Sequence, residues 1–271
     1  MEETYKTTKQ ILIATPLPEQ TRTYKPVAHG QLMDLTLEGI HKAGFELDKE
    51  LYSCAKGGNV ANGKYLIKSV DDKEMQLQIL WQNSYDKTLR LLFAIGANVL
   101  VCTNGMVSFR SANSFRRKHM GEIQVLTPHI ISEYIKEAGE AFVTLQLDRD
   151  IMKSVEIDRR ITAELVGRMY LENQFIESTQ LNIIKRELDK PTFDYNSPHS
   201  LWELYQYTTF AIGGIHPTRW MQDHIEAHEF FVNAASIITG NKPIIEVPSY
   251  GENYYNYGTS NQLSLEFENI E

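Results

Sequence analysis

The segment MQLQILWQ, residues 75–82, decides how this chain is expected to fold. Mostly glutamines alternate here with four apolar residues, Met75, Leu77, Ile79 and Trp81. Strict alternation is typical of a β-strand, because successive side chains of a strand point to opposite faces. We therefore predict a central strand of a sheet with Trp81 buried. Its second face, which contains the glutamines, is predicted to be solvated or to face a ligand groove.

Other elements follow on both sides of this strand. Apolar residues at helical spacing predict a helix over residues 29–43, and two further strands are predicted over 46–55 and 64–70, with the turn KGGNVANG (56–63) between them. The segment SYDKTLRLLFAIG (84–96) is predicted to be a helix capped by Asn83 or Ser84, with Asp86 in its first turn. The segment ANVLVCT (97–103) is predicted to be the next strand.

The second half of the chain has helical periodicity. Thr127 and Pro128 predict a helix start, with breaks near residues 155–158 and 178 and a stop at Pro191. A capping box at Ser200 predicts another helix, and Pro217 begins a last one that runs to about residue 239. The predicted fold is α+β: an antiparallel β-meander with flanking helices in the N-terminal half, a mostly helical C-terminal half, and a short C-terminal strand or tail. We divide the chain into an extension (1–23), an α+β core (24–126), a helical region packed on it (127–242) and an acidic aromatic tail (243–271).

Composition and charge narrow the class of protein. With 42% hydrophobic and 23% charged residues in 271, the chain resembles an ordinary globular protein. No membrane helix or signal peptide is expected, and Cys54 and Cys102 are predicted to be reduced thiols of a cytoplasmic protein. The net charge is −8, but residues 243–271 contain five acidic residues and no basic one. The charge is therefore unevenly distributed along the chain, and the net charge alone does not exclude nucleic-acid binding.

Two motifs suggest enzymatic sites without matching them. The segment GNVANGKY (58–65) has the glycines and lysine of a phosphate-binding loop, but Tyr65 replaces its Ser or Thr and the loop joins two strands, so we predict a hairpin turn. The segment HIEAH (224–228) has two histidines at metal-ligand spacing. Glu226 is not directly after the first histidine, and we predict a solvated helix face with no metal and no cofactor. The alternative hypothesis is a metal-dependent hydrolase or nucleotide-modifying enzyme that uses His216, Asp223, His224 and His228.

The segment NVLVCTNGMVSFRSANSFRRKHMG (98–121) contains four basic residues and no acidic one. Aromatic rings interleaved with cations are what a single-stranded nucleic acid requires, because rings stack on bases and cations contact phosphates. Tyr85 and Lys87, at the end of the central strand, are expected to extend the same groove. The predicted nucleic-acid-binding residues are Tyr85, Lys87, Phe109, Arg110, Phe115, Arg116, Arg117, Lys118 and His119.

Four segments resemble a family of phage- and plasmid-encoded proteins that is defined as a domain of unknown function: YKPVAHGQLMDLTLEGIHKAGF (24–45), QNSYDKTLRLLFAIGANVLVCTNGM (82–106), FRRKHMG (115–121) and SLWELYQYTTFAIGG (200–214). This resemblance implies a setting in mobile elements, where replication, recombination and countering host defence are common tasks. The order helix, meander, helix is also similar to the core of single-strand annealing proteins.

These observations predict a non-enzymatic, cytoplasmic protein of a phage or related element. It is expected to form homo-oligomers and to bind single-stranded DNA during replication or recombination. A third hypothesis is an interaction protein that counters host defence and binds a protein partner through the acidic aromatic tail.

Overall fold

The structure is a computed structural model that describes residues 5–68, 72–101, 105–107 and 114–240. The predicted C-terminal strand, Cys102, Phe109 and Arg110 lie outside the described residues. The strands are β1 (Lys6–Thr7), β2 (Leu47–Ala55), β3 (Val60–Ile67), β4 (Met75–Ser84), β5 (Leu91–Val99), β6 (Gly105–Val107) and β7 (Ser114–Arg117). The helices are α1 (Lys9–Ala14), α2 (His29–Lys42), α3 (Ile123–Lys136), α4 (Ala138–Ser154), α5 (Arg159–Gly167), α6 (Ser178–Asp189), α7 (Leu201–Ile212) and α8 (Pro217–Thr239), with a π-helical turn at Arg168–Glu172 after α5.

The strands form one antiparallel sheet in the order β1-β2-β3-β4-β5-β6. Strand β7 also pairs with β5, beside β6. On β5, Gly96 is opposite Val107 of β6 and Ala94 is opposite Ser114 of β7. The two short strands thus share one side of β5. The α+β fold class with an antiparallel meander in the N-terminal half and a mostly helical C-terminal half is confirmed.

The first face of the sheet has the predicted apolar alternation. Ile79 and Trp81 of β4 are fully buried, and Phe93 of β5 lies opposite Trp81. Helices α2 and α3 cover this face through a common hydrophobic cluster that includes Leu32 and Ile131. The central position of β4 and the burial of Trp81 are therefore confirmed.

The second face is covered too, which corrects the prediction of a solvated face or ligand groove. Gln78 and Gln82 of β4 are at most 4% exposed. Trp220 and Met221, in the N-terminal half of α8, pack over this face against a cluster that includes Leu80. The glutamines are buried because the helical half of the chain folds back over them. The sheet is the middle layer of a three-layer arrangement.

The predicted helix over residues 84–96 is wrong. Residues 85–90 form the turn of the β4–β5 hairpin, and β5 begins at Leu91. The polar residues that suggested a cap stabilise the turn instead: Thr88 donates its N–H to Asp86 Oδ1 (3.0 Å) and Leu89 donates its N–H to Ser84 Oγ (3.0 Å). The following apolar run is strand β5, and all nine of its residues are buried. A strand that is covered on both faces has a continuous apolar sequence without alternation.

Most boundaries of the helical half agree with the sequence. Breaks fall between α4 and α5 and before α6, Ser200 caps α7 by accepting from the Glu203 N–H (3.1 Å), and α8 begins at Pro217. Helix α3, however, starts at Ile123, so Thr127 lies within it and donates its hydroxyl to the Ile123 carbonyl (2.5 Å). The predicted division between residues 126 and 127 thus falls inside a helix.

Two smaller predictions concern the start of the sheet. Strand β3 begins at Val60 rather than at residue 64, so residues 60–63 belong to the strand and the turn is shorter than predicted. Cys54 is a half-buried free cysteine in β2. Among the helices that the structure describes, none is both long and apolar enough to cross a membrane.

Candidate nucleic-acid interface

Three segments that are distant in sequence meet at the turn of the β4–β5 hairpin. The Lys25 N–H donates to the His119 carbonyl (2.8 Å), and the Tyr24 hydroxyl donates to the Tyr85 carbonyl (3.0 Å). Strand pairing places Arg117 opposite Leu91, directly after the hairpin turn. Residues 19–26, 85–90 and 114–122 therefore form one continuous part of the molecule.

This part of the molecule is basic although the protein is acidic. The three segments contain seven Lys or Arg residues and three carboxylates, a net charge of +4 in a protein of net charge −8. One of the carboxylates, Asp86, pairs with Lys56 at 2.7 Å. We call the following cations, which are exposed or half-buried, the basic surface: Arg22, Lys25, Lys87, Arg90, Arg117 and Lys118.

Tyr24 contacts residues of the other two segments. Its side chain is buried, and the Lys87 ammonium lies over its ring, 4.6 Å from the centroid. Lys87 has a φ of 64°, a left-handed backbone conformation that is uncommon for a residue with a side chain. The hairpin turn thus directs this cation back over Tyr24, a contact that contributes about 0.5–1 kcal/mol at an exposed site.

The predicted residues divide into exposed cations and buried rings. Lys87, Arg117 and Lys118 belong to the basic surface and are exposed. Phe115 is 8% exposed and packs with Phe93 at a centroid distance of 5.8 Å, so it lies beneath the surface and does not stack on bases.

Tyr85 does not reach a ligand, contrary to the prediction. It is 5% exposed, and its ring stacks on His29 at a centroid distance of 3.9 Å. Its hydroxyl accepts the His29 N–H (2.8 Å). The His29 ring is itself held by the Gly58 carbonyl (3.0 Å) and the Asn83 amide (3.1 Å). This network fixes the start of α2 against the hairpin, which is a structural role.

Arg116 and Arg117 do not act as one unit. Neighbouring strand residues point to opposite faces, and β7 places Arg116 on the second face of the sheet. There its guanidinium donates to Gln222 of α8. Of the two arginines, only Arg117 belongs to the basic surface. Phe109 and Arg110 lie outside the described residues.

Arg22, Tyr24 and Lys25 are not among the residues predicted from the sequence. They lie in the segment TRTYKP (21–26), which has the same alternation of cations and an aromatic ring as the segment that was singled out. A turn holds them in place, with the Tyr24 N–H donating to Thr21 Oγ1 (3.0 Å) and the Thr21 N–H to the Tyr24 carbonyl (2.9 Å). The composition of TRTYKP was a usable signal, but its position beside the hairpin was not visible in the sequence.

The histidines of the alternative metal site do not converge. His216 is at the N-terminus of α8, where its Nδ1 accepts the Thr218 N–H (3.3 Å). His224 faces the sheet and donates from Nδ1 to the Trp220 carbonyl (2.8 Å). No group of three or more metal-ligating side chains is found among the described residues.

The prediction that HIEAH forms a solvated helix face is also wrong. His224 and His228 are both at most 1% exposed, because α8 is covered on more than one side. His228 contacts Asp148 of α4 at 3.2 Å. Asp223 is buried as well, and desolvation raises its pKa to about 7 although the Arg219 guanidinium at 3.1 Å opposes the shift.

No family model, no curated protein and no solved structure matches this chain. The resemblance to phage- and plasmid-encoded proteins therefore stays a prediction. The candidate interface depends on the geometry and charge of the described residues alone.

Proposed function

We propose that this protein binds nucleic acid without catalysing a reaction, and that the basic surface contacts the phosphate backbone. The observation that supports the proposal is the convergence of three separate segments into a cationic surface on an acidic protein. Phosphates are bound by Lys and Arg side chains, so binding takes place on the part of the surface where these residues lie. Net charge of the opposite sign on the rest of the molecule does not prevent it.

The expected ligand is single-stranded DNA, contacted through its phosphates. Of the aromatic residues predicted to stack on bases, Tyr85 and Phe115 are buried. Contacts to phosphates are not sequence-specific, so we expect little base preference. From the resemblance we also propose an annealing-type role in replication or recombination of a mobile element. We further propose that the protein is cytoplasmic and forms homo-oligomers.

The test is salt-dependent binding of a labelled oligo(dT) to the full chain, measured by fluorescence anisotropy. Replacing Lys87, Arg117 and Lys118 together by Ala should weaken binding by at least about tenfold at moderate salt. It should also reduce the slope of log K against log salt by about 2, since each single-strand contact contributes about 0.7.

The matched control removes the same charge from the helical half. Arg159, Arg160 and Lys185 are exposed and distant in sequence from the basic surface, and their replacement by Ala should leave the salt slope unchanged. A duplex of equal length, used as competitor, tests the preference for single strands. Absence of binding by the wild-type protein at low salt would overturn the proposal.

A further inference from the structure

His119 lies within the basic surface but is not exposed on it. It is 5% exposed and lies in the short connection between β7 and α3. Its ring meets the Tyr24 ring edge-on at a centroid distance of 5.9 Å, and its carbonyl accepts the Lys25 N–H. The neighbouring residues Lys118 and Met120 are both exposed.

The His119 ring is unlike the other buried histidines of the described chain. Neither of its nitrogens has a hydrogen-bond partner. By contrast, the ring of His29 contacts Gly58 and Asn83, that of His224 contacts the Trp220 carbonyl, and that of His228 contacts Asp148. A buried polar group without a partner costs about 1–3 kcal/mol, so its retention requires an explanation.

The charged and titratable groups around His119 include two lysines and two neutral rings. Lys25 and Tyr24 face it from the segment before α2, His29 from α2 itself, and Lys87 lies across Tyr24 from the hairpin turn. The hairpin carboxylate, Asp86, pairs with Lys56. No carboxylate among these groups is free to stabilise a protonated imidazole, so an arriving anion would be its counter-charge.

Burial lowers the pKa of His119 from its ordinary 6.5. The backbone of Lys25 acts in the opposite direction, but neither ring nitrogen makes a hydrogen bond of ordinary geometry to it. Desolvation therefore dominates, and the ring is neutral at neutral pH in the free protein.

We infer that His119 is a proton-linked phosphate-binding residue of the basic surface. When a phosphate group of the nucleic acid reaches Lys118, the ring rotates toward it, takes up one proton from solvent and donates an N–H to a phosphate oxygen. The movement is confined to the side chain, since the hydrogen bond from the Lys25 N–H holds the His119 carbonyl in place. This inference rests on the proposed function, and it adds a dependence of that function on pH.

The sign of the effect follows from linkage. Phosphate raises the pKa of the ring, so binding takes up a proton at pH values between the pKa of the free and that of the bound protein. Affinity therefore rises as pH falls through this window, by up to about tenfold per pH unit for one proton. Below the pKa of the free protein the effect is complete and the slope ends.

The first experiment compares oligo(dT) binding by the wild type and by His119→Asn from about pH 7.5 to about pH 5.5 at constant ionic strength. Asn cannot titrate and is close in size to part of the imidazole. We expect the wild type to gain about tenfold more affinity over this range than the variant. Matched controls are His41→Asn and His129→Asn, which change exposed histidines and should keep the full slope.

The second experiment needs no variant, so it is independent of any effect of the substitution on folding. Calorimetric titration of oligo(dT) into wild-type protein near pH 6.5, in two buffers of different ionisation enthalpy, counts the protons taken up. Uptake of a fraction of one proton is expected. Binding without uptake, or an equal slope in His119→Asn, would overturn the inference, whereas absence of binding at every pH would overturn the proposed function instead.

Discussion

The two faces of the sheet are equally buried, but only the second face includes several polar side chains among its apolar ones. On the first face, Ile79, Trp81 and Phe93 pack against α2 and α3. On the second face, Lys64, Gln78 and Gln82 lie beneath α8, each at most 6% exposed. Alternation in the sequence indicates which residues share a face. It does not indicate whether the polar face is wet, because that depends on what the rest of the chain places over it.

The second face tolerates burial because its polar groups pair with one another and with α8. The Asn62 and Gln82 amides both donate to the Pro217 carbonyl, at 3.0 and 2.9 Å. Lys64 donates to Asn98 at 2.8 Å. Pairing is incomplete, since the side-chain oxygens of Asn62 and Gln78 have no partner. The apolar face is thus expected to contribute more stability per residue than the polar face.

The largest expected effect comes from the first face. Trp81→Ala removes a fully buried ring that packs within 3 Å of where a Gly63 side chain would begin, and should reduce the free energy of unfolding by about 3–5 kcal/mol. The neighbouring Gln82→Ala should cost only about 0.5–1.5 kcal/mol, because Asn62 still donates to the Pro217 carbonyl. Urea denaturation of both variants measures the difference. Equal losses would contradict the comparison.

The next effect in size is the pH dependence of stability. Helices α2 and α8, which cover opposite faces of the sheet, each contain a buried neutral histidine. Desolvation lowers the pKa of His29 in α2 to about 4 and that of His224 in α8 to about 3, from 6.5. As pH falls below 6.5 the unfolded chain binds these two protons and the folded protein does not, so stability is lost. Asp223 acts oppositely, since its pKa is raised from 3.8 to about 7 and stability is lost as pH rises toward 7.

Near about pH 5 the unfolded chain binds two protons at these histidines and the folded protein binds one at Asp223, so the free energy of unfolding should fall by about 1.4 kcal/mol for each pH unit of acidification, and by less closer to pH 6.5. His119, with its lowered pKa, adds in the same direction. Stability should therefore be highest near about pH 7, measured by denaturant titration at several pH values. His224→Asn should reduce the acid slope by one proton, and a profile that keeps rising toward pH 5 would contradict this balance.

The smallest expected effect separates two neighbouring arginines that lie on different faces. Arg117→Ala should change the free energy of unfolding by less than about 0.5 kcal/mol but should weaken oligo(dT) binding. Arg116→Ala should cost about 0.5–1.5 kcal/mol through the lost contact with Gln222 and should affect binding less. Both quantities are measured on both variants. Equivalent behaviour of the two variants would show that strand β7 does not divide them.

Much of the fold was predictable because local signals agreed with it. The alternation around Trp81 predicted the central strand, and Pro217 and Gly240 bounded α8. The hairpin was not predictable from periodicity, because a continuous apolar run such as residues 91–95 fits both a buried helix and a strand that is covered on both sides. That β5 is covered on its second face depends on α8, more than 100 residues further along the chain.

The candidate site was predictable only in part. Lys87, Arg117 and Lys118 were predicted from the composition of their segments, and all three side chains are exposed. Arg22 and Lys25 were missed because their place in the site depends on the hydrogen bonds from residues 24 and 25 to the hairpin and to the β7–α3 connection. The rings were misjudged for a related reason, since an aromatic residue beside cations can equally belong to the core beneath them.

Strands β6 and β7 have a consequence for how the length of this chain can vary. Each is registered against β5 on its own, through Gly96 with Val107 and Ala94 with Ser114, so the two registers are separated by one residue of β5, Ile95. A longer connection between Val107 and Ser114 shifts neither register. Insertions between residues 107 and 114 should therefore leave the core intact. Because this edge of the sheet consists of two short strands, it also offers no long continuous edge strand with which another sheet could pair. This position is the natural place for length variation among homologues and for an inserted reporter.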